Sequence, residues 1–218
     1  MRTREPAVPY TFKEEVFNAS SHWAGVILGI IGLVVMLHFG IMKGSVLAIS
    51  AFAIYGGCFI AMYGCSALYH SIPVGKVKAV LRVFDHASIF VFIAGTYTPV
   101  ILLSLQGTWR ILMLVAVWGI ALFGVIFKIA TFGQFGRFNK LSLVLYLGLG
   151  WLSVFLLPEI FRQSTALLLY LFAGGVLYSI GTYFYSRSKI PYAHGVWHLF
   201  VLGASLCHFA GIFRTYVL

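Results

Sequence analysis

Five residues in three separate apolar segments have the types and spacing needed for metal-dependent chemistry. Ser66 and His70 lie four positions apart, His194 and His198 have the same spacing, and Asp85 lies between the two pairs. Side chains at i and i+4 share one face of a helix, so the imidazoles of His194 and His198 can both reach one metal ion. Three histidine ligands with a water in the fourth position are a known arrangement of catalytic zinc, and Asp85 could hold or deprotonate that water.

A second interpretation of these histidines needs no metal. A histidine near a membrane interface is often a hydrogen-bonded or snorkelling residue. The HxxxH pair also has no glutamate between its histidines, where Gly195, Val196 and Trp197 stand instead. The pair is therefore not the protease motif HExxH, and any general base must come from another segment.

Other histidines are weaker candidates. His22 shares a helical face with Glu15 and Asn18 and could line the entrance to the site, although an amphipathic turn at the interface explains that stripe equally well. His38 and His208 are expected towards the opposite side of the membrane, too far along their helices to share a metal with His198.

The elements that must position these residues are membrane helices. Hydrophobic residues make up 61% of the 218, charged residues make up 9%, and the mean hydropathy is +0.98. This composition is typical of an integral membrane protein rather than a soluble domain. The net charge of +10 comes from lysines and arginines between the apolar segments, where membrane topology explains them, so we do not expect nucleic-acid binding.

Seven apolar segments are each long enough to cross a bilayer of about 30 Å. They cover residues 23–42, 45–70, 83–105, 109–130, 141–157, 165–185 and 193–213. Because a spanning segment must satisfy its own backbone hydrogen bonds, each is predicted to be a helix. The predicted fold is an all-α, polytopic seven-transmembrane-helix bundle, with a cytoplasmic amino-terminal segment at residues 1–21 and the membrane domain at residues 22–218.

Lysine and arginine are unequally divided between the two sides of this bundle. The side of the amino terminus carries Arg2, Arg4, Lys13, Lys76, Lys78, Arg82, Lys128, Arg137, Lys140, Arg187 and Lys189. The opposite side carries Lys43, Arg110, Arg162 and Arg214. Positive residues stay in the cytoplasm, so we predict a multi-pass protein of the inner (plasma) membrane with its amino terminus inside and its carboxyl terminus outside. All five candidate site residues then lie in the cytoplasmic leaflet.

Three segments around these residues carry a family resemblance that covers nearly the whole chain. They are SALYH at residues 66–70, FDHASIFVFIAGTYTPV at residues 84–100 and IPYAHGVWHLFVLGASLCH at residues 190–208. The sequence resembles the hemolysin III family, the bacterial branch of the progestin and adiponectin receptor (PAQR) family, within a superfamily that includes alkaline ceramidases. The resemblance implies zinc held by His70, His194 and His198, with Asp85 acting through a metal-bound water and Ser66 close by.

Three kinds of function are compatible with this chain. One is a zinc-dependent hydrolase of lipid amides or esters, for which Asp85 and Ser66 would be catalytic and a lipid-like molecule the substrate. Another is a non-enzymatic sensor or regulator of membrane lipid homeostasis with a structural zinc. The third is a pore-forming cytolysin, as the family name suggests. Membrane lipids are the expected partners in the first two.

The charge distribution gives a direct test of the orientation. A reporter fused after Leu218 should read as extracytoplasmic, and one inserted within residues 76–82 should read as cytoplasmic. Alkaline phosphatase and fluorescent-protein fusions measure the two sides. Both reporters on the same side would contradict the seven-span arrangement.

Overall fold

The computed structural model describes residues 10–187 and 190–218, so the predicted basic residues Arg2, Arg4 and Lys189 lie outside the described residues. Within the described residues, eight α-helices form seven spans, and the fifth span contains two of them. The helices are α1 (Phe12–Met42), α2 (Val46–Ser71), α3 (Lys76–Ser104), α4 (Gly107–Ala130), α5 (Phe135–Trp151), α6 (Leu157–Gln163), α7 (Thr165–Tyr185) and α8 (Ala193–Tyr216).

The predicted all-α fold with seven membrane-length helices is confirmed. Large apolar side chains cover the outside of the bundle, as Ile31, Val115 and Leu169 illustrate, while polar side chains such as Asn18 and Ser205 are buried within it. This inverted distribution is typical of a protein surrounded by hydrocarbon, and the chain is a multi-pass membrane protein. The orientation of the bundle remains a prediction.

Helix α1 begins well before the predicted first span. Thr11 caps it in a capping box, because the Glu14 amide donates to the Thr11 hydroxyl while the Thr11 amide donates to the Glu14 carboxylate. The helix therefore starts at Phe12, eleven residues earlier than predicted. Residues 12–21 continue the first helix, which brings Glu15 to the end of the bundle that also holds the candidate site.

Helix α3 also begins earlier than predicted, at Lys76 rather than at residue 83. The connection from α2 consists only of residues 72–75, so the reporter that tests the orientation belongs there. Asp85 consequently lies nine residues inside α3, and its side chain is buried. Lys78 fixes the connection because its ammonium donates to the carbonyls of Tyr69 (2.9 Å) and Ile72 (3.0 Å) at the end of α2.

The fifth span is interrupted in the middle of the bundle. Helix α5 ends at Trp151, a 3₁₀ turn runs over Leu152–Leu156, and α6 follows with Pro158 in its first turn. Such a break frees backbone carbonyls, which need new donors in a membrane. The Tyr97 hydroxyl of α3 donates its one hydrogen at this break, where it lies 3.0 Å from the Leu149 carbonyl and 2.6 Å from the Gly150 carbonyl. The Leu149 carbonyl also accepts from the Leu152 amide.

Close contact between α1 and α2 depends on the missing side chain of Gly25. A Cβ atom at this position would overlap the ring of Tyr63, which is fully buried. Gly25 is less than one turn from His22, so this contact also sets how closely His22 approaches the candidate site.

We expect Tyr97→Phe to destabilise the interrupted span. The substitution keeps the ring but removes the hydrogen bond from the hydroxyl to these carbonyls, which costs about 0.5–1.5 kcal/mol. Thermal unfolding in lipid nanodiscs would measure the loss. Tyr183→Phe is the control, because Tyr183 is exposed and its hydroxyl has no hydrogen-bond partner in the described ranges. Equal stability of the two variants would show that Tyr97 does not support the break.

Candidate metal centre

Three imidazoles from two helices meet at one end of the bundle. His70 lies in the last turn of α2, and His194 and His198 lie in the first two turns of α8. One ring nitrogen from each lies within 4.8 Å of the others, and the ring centroids are 4.6–5.1 Å apart. His70 and His198 are buried and His194 is half-buried. This group can hold a metal ion.

The hydrogen bonds of these histidines fit that interpretation. The Nε2 atoms of His70, His194 and His198 are all buried and have no hydrogen-bond partner among the described residues. Buried polar atoms rarely stay unpaired, so three that converge indicate a shared ligand. The His198 Nδ1 lies 3.2 Å from the main-chain carbonyl oxygen of Asn18. Because a carbonyl oxygen only accepts, Nδ1 is the nitrogen of His198 that carries the proton. The lone pair of His198 Nε2 is then available for a metal.

Glu15 of α1 orients His70 in the same way. Its carboxylate lies 2.6 Å from His70 Nδ1, and its other oxygen lies 2.9 Å from the Lys78 ammonium. The carboxylate only accepts, so His70 carries its proton on Nδ1 and presents Nε2 to the other histidines. A carboxylate behind a ligating histidine fixes the ring and raises its basicity, and this is the usual second contact of a metal site.

The next turns of α1 pack against His198. The Ser21 hydroxyl is 3.2 Å from His198 Nδ1 and donates to the Asn18 carbonyl at 2.8 Å. The His22 ring stacks on the His198 ring with centroids 3.6 Å apart and an interplanar angle of 17°. Gly195 permits this approach, because a Cβ atom there would overlap the neighbouring side chains of α1. Helix α1 thus supports both ends of the histidine group.

Tyr10 covers the group at the end of the bundle. Its ring centroid is 5.8 Å from that of His70 and 5.0 Å from that of His194. Burial, with a smaller contribution from nearby acidic groups, raises the pKa of the Tyr10 phenol well above its usual value. The phenol is therefore neutral, and it separates the imidazoles from the solvent beyond α1.

Asp85 and Ser66 lie beside the three histidines but outside the group whose ligand atoms all converge. The Ser66 hydroxyl is buried next to the Asp85 carboxylate, without a hydrogen bond of good geometry between them. The Asp85 carboxylate is also 4.0 Å from His86 Nε2. A carboxylate close to the histidines but not among them is placed to contact a small molecule held there.

An apolar cavity of about 400 Å³ extends from this end of the bundle between α3, α5, α7 and α8. Asp85, His22 and Trp197 line its end beside the histidines, and His208 lines it further along α8. Trp151 and Phe172 line its wall while also being exposed on the outside, so that wall is thin. Ligand pockets have volumes of about 300–1,000 Å³, so the cavity can take a small apolar molecule.

Comparison with known proteins agrees with these features. The profile of the family described as "Haemolysin-III related" matches residues 10–209, which include every residue of the site. The chain belongs to this family. The matched residues therefore include Glu15, which orients His70, as well as the three histidines.

Several relatives match over most of their length. This haemolysin-III related chain is 44% identical to the hemolysin-3 homolog of Bacillus subtilis (strain 168) over 201 residues, covering 92% of the chain and 93% of the relative. It is 39% identical to hemolysin-3 of Bacillus cereus, covering 90% and 89%. The human monocyte to macrophage differentiation factor is 29% identical over 167 residues, covering 74% and 68%.

The structure brings together His70, His194 and His198, with Asp85 and Ser66 beside them, and the roles assigned to these residues remain predictions. His38 and His208 stand apart from the histidine group, in agreement with their lower rank. The contact of Glu15 with His70 is not predicted from the sequence, because the stripe of Glu15, Asn18 and His22 indicates only a possible entrance to the site. The alternative of an interfacial turn is wrong, since Asn18 and His22 are each only 1% exposed. The spacing of Glu15, Asn18 and His22 on one face was the available signal.

We expect Glu15→Gln to weaken metal binding by about 10- to 100-fold, because it removes the charge that fixes and polarises His70. Competition with a zinc-sensitive dye would measure the affinity in the purified haemolysin-III related protein. Glu14→Gln is the matched control, since Glu14 caps α1 and has no contact with the histidines. Equal affinities in the two variants would remove Glu15 from the site.

Proposed function

We propose that this membrane protein is a zinc-dependent hydrolase of lipid amides or esters, acting at the cytoplasmic end of the bundle. The observation that carries the proposal is the position of the three converging histidines beside the end of an apolar cavity that Asp85 lines. A catalytic site for a lipid needs a polar reaction centre joined to an apolar space for the acyl chain. The bundle provides both side by side.

The donor set favours zinc. Three neutral imidazoles with a free fourth position are the ligands of several zinc hydrolytic sites. Zinc in such a site supplies a Lewis acid that polarises a carbonyl and lowers the pKa of a water. His70, His194 and His198 would hold the ion through their Nε2 atoms. Glu15 would orient the His70 ring, and the main-chain carbonyl of Asn18 would orient the His198 ring.

The side chains beside the histidines have roles that follow from their chemistry. Asp85, as a buried carboxylate outside the ligand group, accepts the proton of the attacking water and returns it to the leaving amine or alcohol. The Ser66 hydroxyl donates a hydrogen bond to the carbonyl oxygen of the substrate as negative charge develops there. The cavity receives the acyl chain, whose carbonyl would lie near Asp85.

A second candidate is a sensor or regulator of lipid homeostasis in which the zinc has a structural role. The observation that favours it is that the histidine group connects α2 to α8 at one end of the bundle. Cell lysis is a third candidate function, which the name hemolysin-3 of the Bacillus relatives suggests. Release of haemoglobin from red cells by the purified protein is its test.

Asp85→Asn distinguishes hydrolysis from a structural zinc. Asparagine has a similar shape but cannot accept a proton, so the hydrolase should lose about 10²- to 10⁴-fold in turnover while keeping its zinc and its fold. The measurement is fatty acid released from ceramides and other acyl lipids, with zinc content determined on the same samples.

Glu159→Gln is the control, because Glu159 pairs with Arg162 on α6, away from the histidines. This variant should release fatty acid at the wild-type rate. Zinc-loaded wild type that cleaves no lipid in a broad panel would contradict the hydrolase. Loss of zinc from Asp85→Asn would instead make this carboxylate a metal ligand.

A further inference from the structure

His22 is a buried imidazole that the metal site and the proposed reaction do not use. Its side chain lies in the third turn of α1 and is only 1% exposed. Neither of its ring nitrogens has a hydrogen-bond partner among residues 10–187 and 190–218. A buried polar group without a partner is unfavourable, so a side chain with two such atoms needs a physical reason.

His22 does not belong to the converging histidine group. It contacts His198 face to face, with the rings nearly parallel, so it lies over the ring of that ligand rather than beside its Nε2 atom. On its other side is the ring of Tyr63, at a centroid distance of 4.9 Å. The Tyr63 hydroxyl donates to Ser205 at 2.8 Å and is not turned towards His22.

His22 also lines the cavity, whose wall it forms together with Asp85. The surrounding wall is apolar, with Met62, Ile89 and Val201 among its side chains. A neutral imidazole offers one donor and one acceptor. His22 therefore brings an unused donor and an unused acceptor to the wall of the cavity, at the end beside the histidines.

We propose that His22 binds the uncharged polar head of an acyl lipid, donating to its oxygen or accepting from its hydroxyl or amide hydrogen, while the acyl chain occupies the cavity. This inference rests on the proposed function, because it assigns the head-binding residue of the same lipid site. It makes His22 a ligand-binding residue, distinct from the metal ligands and from Asp85. Its stack on His198 holds the ring in place without using either nitrogen.

Binding of two probes that cannot be hydrolysed tests this role. Hexadecanol and hexadecane have equal chain lengths, and only the first has a polar head. We expect wild type in lipid nanodiscs to prefer hexadecanol in competition with a fluorescent acyl probe. His22→Phe keeps a flat ring on His198 and should lower hexadecanol affinity about three- to tenfold, the effect of one lost hydrogen bond. Hexadecane affinity and zinc content should not change.

Two further variants complete the experiment. His22→Gln restores a donor and an acceptor, so it should recover part of the preference for hexadecanol. His38→Phe is the control, because His38 is exposed near the other end of α1, and this variant should behave as wild type. Wild type that shows no preference, or His22→Phe that keeps it, would overturn the proposal. Loss of zinc, or an equal loss of both probes, would make His22 a packing residue.

The outcome is independent of hydrolysis. A protein that prefers hexadecanol through His22 but cleaves no lipid retains this inference and loses the proposed reaction. A protein that cleaves lipid while His22→Phe binds and turns over normally retains the reaction and loses this inference.

Discussion

The three unpaired Nε2 atoms of His70, His194 and His198 impose the constraint on which this end of the bundle depends. Each buried polar atom without a partner costs about 1–3 kcal/mol, and no described side chain forms a hydrogen bond with any of the three. A metal ion is the simplest ligand that takes three lone pairs at one point. Because the histidines come from α2 and α8, metal binding would contribute directly to the stability of the folded bundle.

Helix α1 has no ligand of its own, yet it determines the geometry of the ligands. Glu15 and the Asn18 carbonyl each hold the Nδ1 atom of one histidine, so both rings present the same nitrogen to the centre. Lys78 links this arrangement to α3 because it contacts Glu15 and the last carbonyls of α2. A change in how α1 packs would therefore alter the tautomers and orientations of residues on two other helices.

The sequence predicted those features that depend on local composition and on the direction of each helix. The seven apolar segments, which cross the membrane in alternating directions, put His70, Asp85 and His198 at the same end of the bundle. Glu15 was not predicted as a site residue, since an acid before a span also fits a solvated flank. Glu15 and His70 are 55 positions apart in the sequence, and they come into contact only because α1 packs against α2. The cavity likewise arises from packing between helices.

The interruption of the fifth span forms part of the wall of the cavity. The 3₁₀ turn after Trp151 contributes Ser153, Val154 and Leu156 to the cavity lining. Tyr97 both donates a hydrogen bond at the break and lines the cavity itself. Trp151 and Phe172 line the cavity and are also exposed, so a hydrocarbon chain in this cavity would meet mostly apolar side chains. The Asp85 carboxylate lies at the end beside the histidines, which is where the proposed reaction requires the reactive head of a lipid.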